Sequence, residues 1–287
     1  MSFEALMLKI TASVSDHLRD RKIPLPEGVI CHCNIAYAEG QLLDVYYPEG
    51  TRSPLPTIVS IHGGGYVYGS KEIYRRYGMD LARRGFAFVN FNYRLAPKWR
   101  FPAPLENTNA VMEWLCRYAK QYYLDPERVI IVGDSAGAQL ASQYAAIVQS
   151  PRYAAHFPFR VPTITIRALG LNCGMYDLAS LAEAPRKSFF ADYLGNIIPA
   201  NDARLQVMDA IDDSYPPTFL STSYHDFLRE NAQPMYDFLS AKGIPAMVKC
   251  YGSEERKEVG HVFHVNILLP EANSCNDDEC AFFRKYV

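Results

Sequence analysis

The rhythm of hydrophobic and polar residues changes partway along this chain. Residues 3–20 carry apolar side chains at Phe3, Leu6, Met7, Ile10 and Val14, the three-and-four spacing of a helix. Stretches at 29–37 and 42–47 then alternate, as an antiparallel pair of half-buried strands does. From residue 57 onward, alternation gives way to short β-rich apolar runs: "TIVSI" (57–61), "FAFVNFNY" (86–93), "RVIIVG" (128–133), "TITIRALGL" (163–171), "TFLST" (218–222) and "AMVKCY" (246–251). Strands covered on both faces look like this, because neither row of side chains meets water. Helical patterns at 72–84, 105–122, 136–149 and 229–242 separate the runs, and this βαβα order predicts an α/β fold: a mostly parallel sheet with helices on both faces. The stretch 175–212, with "SFFADYLGN" and a polar "NDARLQVMDAIDD", breaks the pattern and is long enough for a small cap over the sheet's edge. No repeat or linker divides the chain, so 1–287 reads as one domain.

Composition narrows the class. With 287 residues, 49% of them hydrophobic, the chain can bury a large core. Its net charge is -2 and its Lys and Arg residues are scattered, which offers no basic stripe to nucleic acid or to an anionic membrane. Glu4, Lys9 and Asp16 interrupt the N-terminal stretch where a signal peptide needs an unbroken apolar run, and the expected location is cytoplasmic. Seven scattered cysteines, an odd count, suit reduced thiols better than a disulfide framework. Cys31/Cys33 and Cys275/Cys280 have no second C-x-x-C to complete a zinc site, and His261-x-x-His264 lacks the i, i+4 spacing of a zinc protease helix. No metal is expected.

The densest chemistry lies in "VIIVGDSAGAQLA" (129–141), where a β-branched strand runs through G-x-S-x-G into a helical pattern. A serine at so sharp a turn needs small neighbours, and Gly133 and Gly137 let strand and helix approach each other. The helix N-terminus places the Ala136 N–H beside the Ser135 hydroxyl, where negative charge would develop in acyl transfer. A serine is a poor nucleophile until a base takes its proton and an acid orients that base. Asp226 follows the run "TFLST", with Asp177 as its rival; His261 lies in the loop after the last strand, with His264 ranked second and His225 third. The glycine run of "SIHGGGYVYGS" (60–70) directly follows another strand, and a backbone without side chains can bring N–H donors to an oxyanion.

Five motifs fall in order along the chain: H-G-G-G (62–65), "NYRLAPKWRFPAPLEN" (92–107), "LDPERVIIVGDSAGAQLA" (124–141), the D-x-L-R-E segment from Asp226, and Gly260-His261-x-Phe263. Together they resemble the hormone-sensitive-lipase-like family of α/β-hydrolases, the bacterial type IV esterases, over about residues 57–266. The resemblance implies an α/β-hydrolase fold with a triad of Ser135, Asp226 and His261. It assigns the oxyanion N–H groups to Gly64, Gly65 and Ala136, with Gly63 shaping the turn. It also implies hydrolysis of short-chain carboxylic esters through an acyl-enzyme without a cofactor, and a cap made from about 1–25 and 175–212. The chain departs from the family in "DFLRE", which lacks a proline after the Asp, in "HVFHV", which lacks a glycine after the His, and in a short N-terminal segment that predicts a small cap. Arg94 and Glu106 are expected to buttress a turn around Pro97 and Pro102.

The same residues would serve a deacetylase of acetylated sugars or an amidase or formamidase. A non-catalytic small-molecule receptor on the same fold is the alternative of another class. The expected partner is a small-molecule ester, with neither nucleic acid nor membrane, and a homodimer is left open.

Overall fold

The computed structural model describes residues 1–185, 188–195 and 198–287. One eight-stranded sheet organises them, in the order β1-β2-β4-β3-β5-β6-β7-β8. The strands are β1 (Val29–Ala38), β2 (Gln41–Pro48), β3 (Leu55–Ile61), β4 (Ala87–Phe91), β5 (Leu124–Asp134), β6 (Ile166–Asn172), β7 (Thr218–Ser223) and β8 (Ala246–Tyr251). β1 pairs antiparallel with β2, and β2 with β4; every other pairing is parallel. This is the α/β-hydrolase fold.

Alternate residues of the central strands feed two separate cores. Val59, Ile61, Val129, Ile131, Leu169 and Leu171 face one, packed under α3 (Ala103–Tyr118), α4 (Ala136–Gln149) and α9 (Ala232–Ala241). Ile58, Ile130, Val132, Ala168 and Phe219 face the other, under α2 (Arg75–Arg83) and a C-terminal helix, Pro270–Phe283. A one-residue slip of any central strand would exchange its two faces, so the alternation fixes the register.

Element boundaries move by a few residues from the sequence expectation. The run expected as a strand over 163–171 pairs only from Ile166, and the helix expected over 229–242 begins as a 3₁₀ turn at Arg229–Asn231. The C-terminal helix was not expected. Its inner stripe, Ala272, Cys275, Asn276, Glu279, Cys280 and Phe283, has helical spacing, but two of its six members are polar, which hides the period.

Two segments lie over the carboxyl ends of the strands. α1 (Phe3–Asp20) crosses there, and the region after β6 supplies the short helices α6 (Leu178–Leu181) and α7 (Phe189–Leu194), a 3₁₀ turn at Ala203–Leu205 and α8 (Val207–Ala210). The backbone N–H of Ser2 donates to Asp192 at 2.6 Å, joining α1 to α7. Tyr193 stacks on Tyr66 with ring centroids 3.8 Å apart, which fixes α7 to the glycine loop. No helix among the described residues is long and apolar enough to cross a membrane.

Candidate active site

The strand-to-helix turn after β5 is as sharp as its sequence implies. Ser135 has φ 53° and ψ -120°, a conformation costly for a side-chain-bearing residue, and its N–H is tied to the Asn172 carbonyl at 2.9 Å. A Cβ on Gly137 would overlap the Ile61 carbonyl oxygen, so only glycine lets α4 start this close to β3. Ala136 is the first residue of α4, and its N–H has no partner inside the helix.

The glycine loop after β3 turns back on itself, with the Gly64 carbonyl accepting from the Val67 and Tyr68 N–H groups at 3.1 and 2.9 Å. Gly64 has φ +109°, and a Cβ there would overlap the Tyr68 carbonyl. This turn brings Gly64, Gly65, Ser135 and Ala136 onto the wall of a single cavity of about 470 Å³. His62, buried and stacked on Tyr93 at 4.0 Å, is held neutral by burial, its pKa lowered to about 4. It supports the loop from behind.

Asp226 and His261 meet at the same cavity. His261 Nδ1 lies 2.7 Å from Asp226 Oδ1. Asp226 also accepts from the Leu228 N–H at 3.0 Å and the Thr222 hydroxyl at 2.8 Å. Burial by itself would raise the pKa of this carboxyl, yet the His261 contact and these two donors hold it below the usual carboxylate range. His261 and Ser135 both line the cavity. The structure records no direct hydrogen bond between their side chains, a gap typical of catalytic pairs without substrate. Phe227 leans over the imidazole with centroids 4.2 Å apart.

The competing residues have other partners. Asp177 caps α6, accepting from the Ser180 N–H at 3.2 Å. His225 contacts the Glu254 carbonyl at 2.9 Å through Nε2. His264 is buried edge-on against Tyr77, and burial pushes its pKa down to about 3. Arg94 does bridge Glu106 and Asn107, at 2.5 and 2.8 Å, beside Pro97 and Pro102.

Three supporting residues escaped the sequence reasoning. Asp134, one position before the serine, is fully buried and accepts from the Tyr74 hydroxyl at 2.7 Å, while that hydroxyl accepts from the Gly63 N–H at 3.1 Å. This chain ties the glycine loop to the serine turn. Burial raises the Asp134 pKa to about 7. Cys173 is the third; its sulfur accepts from the Val262 N–H at 3.4 Å and sits within 4.8 Å of an Asp226 carboxylate oxygen and a His261 ring nitrogen. Both Cys173 and Val262 have positive φ, 48° and 58°, so the contact joins two strained residues behind Asp226 and His261. Asp134 stood inside the quoted G-D-S-A-G, whereas Tyr74 and Cys173 carried no sequence signal.

The cavity has two characters. Leu8, Ala12, Met175, Phe189 and Phe190 form an apolar side. On the other, Asp16 of α1 accepts from the Tyr68 hydroxyl at 2.9 Å and from Arg19 at 2.9 Å. Arg19 donates on to Asp20 and to the Ile73 carbonyl, so each of its three guanidinium nitrogens has a partner.

Residues 43–236 match the family model described as BD-FAE, a span that includes Ser135 and Asp226 but ends before His261. Carboxylesterase NlhH of Mycobacterium tuberculosis is 28% identical over 230 residues, covering 72% of this chain and 70% of its own. A putative alpha/beta hydrolase, R526, of Acanthamoeba polyphaga mimivirus is 25% identical over 206 residues, 69% of this chain and 59% of its own. The chain therefore spans less than two thirds of that viral relative's length. Inhibited esterase B of Lactobacillus rhamnosis superposes with a TM-score of 0.88 at 26% identity, covering 96% of this chain and 93% of that one. The matched model spans most of the sheet, the glycine loop and the serine turn, and on that ground the chain belongs to the BD-FAE family, on the α/β-hydrolase fold it shares with esterase B.

Proposed function

We propose that this chain is a serine carboxylesterase that hydrolyses short-chain acyl esters through an acyl-enzyme. His261, oriented by Asp226, takes the Ser135 proton as the hydroxyl attacks the ester carbonyl. The carbonyl oxygen becomes an oxyanion and is held by the N–H groups of Gly64, Gly65 and Ala136. His261 then gives its proton to the departing alkoxide. Water repeats the sequence on the acyl-enzyme and frees the acid and the serine. No step calls for a metal or organic cofactor.

The observation that carries this reading is the 2.7 Å contact between His261 and Asp226 on the cavity that Ser135 also lines. It sits opposite a glycine turn whose Gly64 tolerates no side chain. Short acyl groups are favoured by the apolar side of the cavity, where Leu8 and Phe189 stand close enough to contact a Cβ placed on Gly65, at 3.0 and 3.1 Å. One structure of esterase B from Lactobacillus rhamnosis carries a tributyrin phosphonate inhibitor, which fits an acyl group of that size in a related pocket.

The test is hydrolysis of p-nitrophenyl acetate, butyrate and octanoate by the wild type and by Ser135→Ala, with a phosphonate label mapped by mass spectrometry. Loss of roughly 10⁴-fold or more in the variant, labelling at Ser135, and a fall in kcat/KM at octanoate are expected. Equal rates in the two proteins, or a label elsewhere, would overturn the assignment; a flat series over chain length would overturn the short-chain preference alone.

A further inference from the structure

α1 is helical for 18 residues yet buries only Ala5 completely. Its inner side, Leu8, Ala12, Asp16 and Arg19, lines the cavity. The opposite side is the apolar one: Phe3, Leu6, Met7, Ile10, Val14 and Leu18 are between 41% and 75% exposed. At 100° per residue these six fall within an arc of roughly 120°, a continuous stripe. A helix of this length is marginal in water on propensity alone, and a core-facing stripe is what ordinarily stabilises it. Here that stripe faces outward.

The stripe is also held still. Asp192 receives the Ser2 N–H at one end of α1, and Arg19 donates to the Ile73 carbonyl at 2.9 Å at the other. A surface fixed in this way loses little entropy when it is covered.

We infer that α1 is a self-association surface, on which α1 of a second copy of this chain packs antiparallel across a two-fold axis near Ile10 and Thr11. The apolar positions 3, 7, 10, 14 and 18 run almost symmetrically about the helix midpoint. An axis there sets Phe3 level with Leu18 of the second copy, Met7 with Val14, and Ile10 with Thr11, so one stripe serves as both halves of the contact. Large apolar side chains present roughly 150–250 Å² each, so the exposed fractions give roughly 600 Å² per copy. A pair would bury ~1,200 Å², the low end for specific association, which suits a dimer that dissociates on dilution. A lipid surface fits less well: the helix carries three acidic residues against two basic ones, whereas helices that lie on membranes bear a Lys- and Arg-rich polar face. The consequence for the site is direct, since a second copy would clamp the same helix whose inner side walls the cavity.

Sedimentation equilibrium of the full chain from about 1 to 200 µM tests this, with a dimer midpoint expected at tens of micromolar. Ile10→Glu should remain monomeric throughout with an unchanged far-UV spectrum, and so should Ile10→Lys. Mixing the two should restore the dimer, because the axis brings residue 10 of each copy close to its counterpart. A wild type that stays monomeric, a dimer that survives Ile10→Glu, or a mixture that does not associate would overturn the inference. A monomeric wild type that floats with phosphatidylcholine vesicles would overturn it in favour of a lipid occupant.

Discussion

The wall and the cover of the cavity are built on different principles. The wall consists of the serine turn, the glycine loop and the Asp226 segment, and its two turns are fixed by contacts that tolerate no added atom. Gly64 and Gly137 have no room for a Cβ, Ser135 is strained, and two hydrogen bonds run in series from Gly63 through Tyr74 to Asp134. The cover, α1 and α7, is held to it through a few contacts, Tyr68 to Asp16, Arg19 to the Ile73 carbonyl and Tyr193 on Tyr66. Rigid placement of donors and nucleophile is what lowers a barrier, while a cover shapes which acyl group enters. The two regions should therefore respond differently to substitution.

The largest effect is expected at Asp226. Asn in its place keeps the shape but presents an amide to His261 Nδ1, favouring the wrong tautomer, and kcat should fall about 10³–10⁴-fold with KM nearly unchanged. Steady-state kinetics check this, and a loss below tenfold would mean that another residue orients the base. Gly64→Ala comes next. Its Cβ would collide with the Tyr68 backbone, so the loop must shift its N–H groups away from the oxyanion, at a cost of about 10²–10³-fold in kcat. By contrast Phe189→Ala opens the cover without touching the wall. Its effect on acetyl ester hydrolysis should stay below about tenfold while the ratio of octanoate to acetate rates increases. If Phe189→Ala lowered kcat on acetate as severely as Gly64→Ala, the division between wall and cover would fail.

The same division explains how far the sequence could be read. The wall was legible because its constraints are local: a strand, five residues and a helix define the serine turn, and a glycine run after a strand defines the loop. In sequence Asp226 and His261 stand out only by their places after β7 and β8, and their contact with each other and the rivals' other partners, Ser180 for Asp177 and Tyr77 for His264, are visible only in the fold. The cover was legible only as a break in rhythm. Nothing in residues 3–20 tells which side of an amphipathic helix turns inward, and α1 buries its small and charged side while exposing its apolar one. Tyr74 and Cys173 lie far from the serine along the chain, so only tertiary packing brings them to it. The C-terminal helix was missed for a related reason, since Asn276 and Glu279 occupy inner positions where the pattern requires apolar residues.

Glu279 offers the smallest and most specific prediction. It lies beneath the wall, where its carboxylate accepts from Asn172 Nδ2 at 2.9 Å and from the Tyr77 hydroxyl at 3.2 Å, and the Asn172 carbonyl in turn holds the Ser135 N–H. A Cβ on Gly170 would overlap its Oε1, so the glycine makes room for the acid. Burial raises the Glu279 pKa from the ordinary 4.5 to about 7, against the pull of its two donors. A carboxyl whose folded pKa lies above its unfolded one favours the fold while protonated. That contribution is fully present below about pH 4.5 and is lost as the pH rises through about 7. Glu279→Gln keeps an oxygen to accept from Asn172 Nδ2, turns the other contact into Nε2 donating to the Tyr77 hydroxyl oxygen, and removes the titration. The variant should therefore gain thermal stability relative to the wild type between pH 5 and pH 8, by up to about 3 kcal/mol, or several degrees in Tm. Asp134 has the same sign and stays in both proteins, so part of the wild type's decline should persist in the variant. Melting curves that shift in parallel across this range would show that Glu279 is ionised in the fold throughout, and that the wall stands on a buried charge.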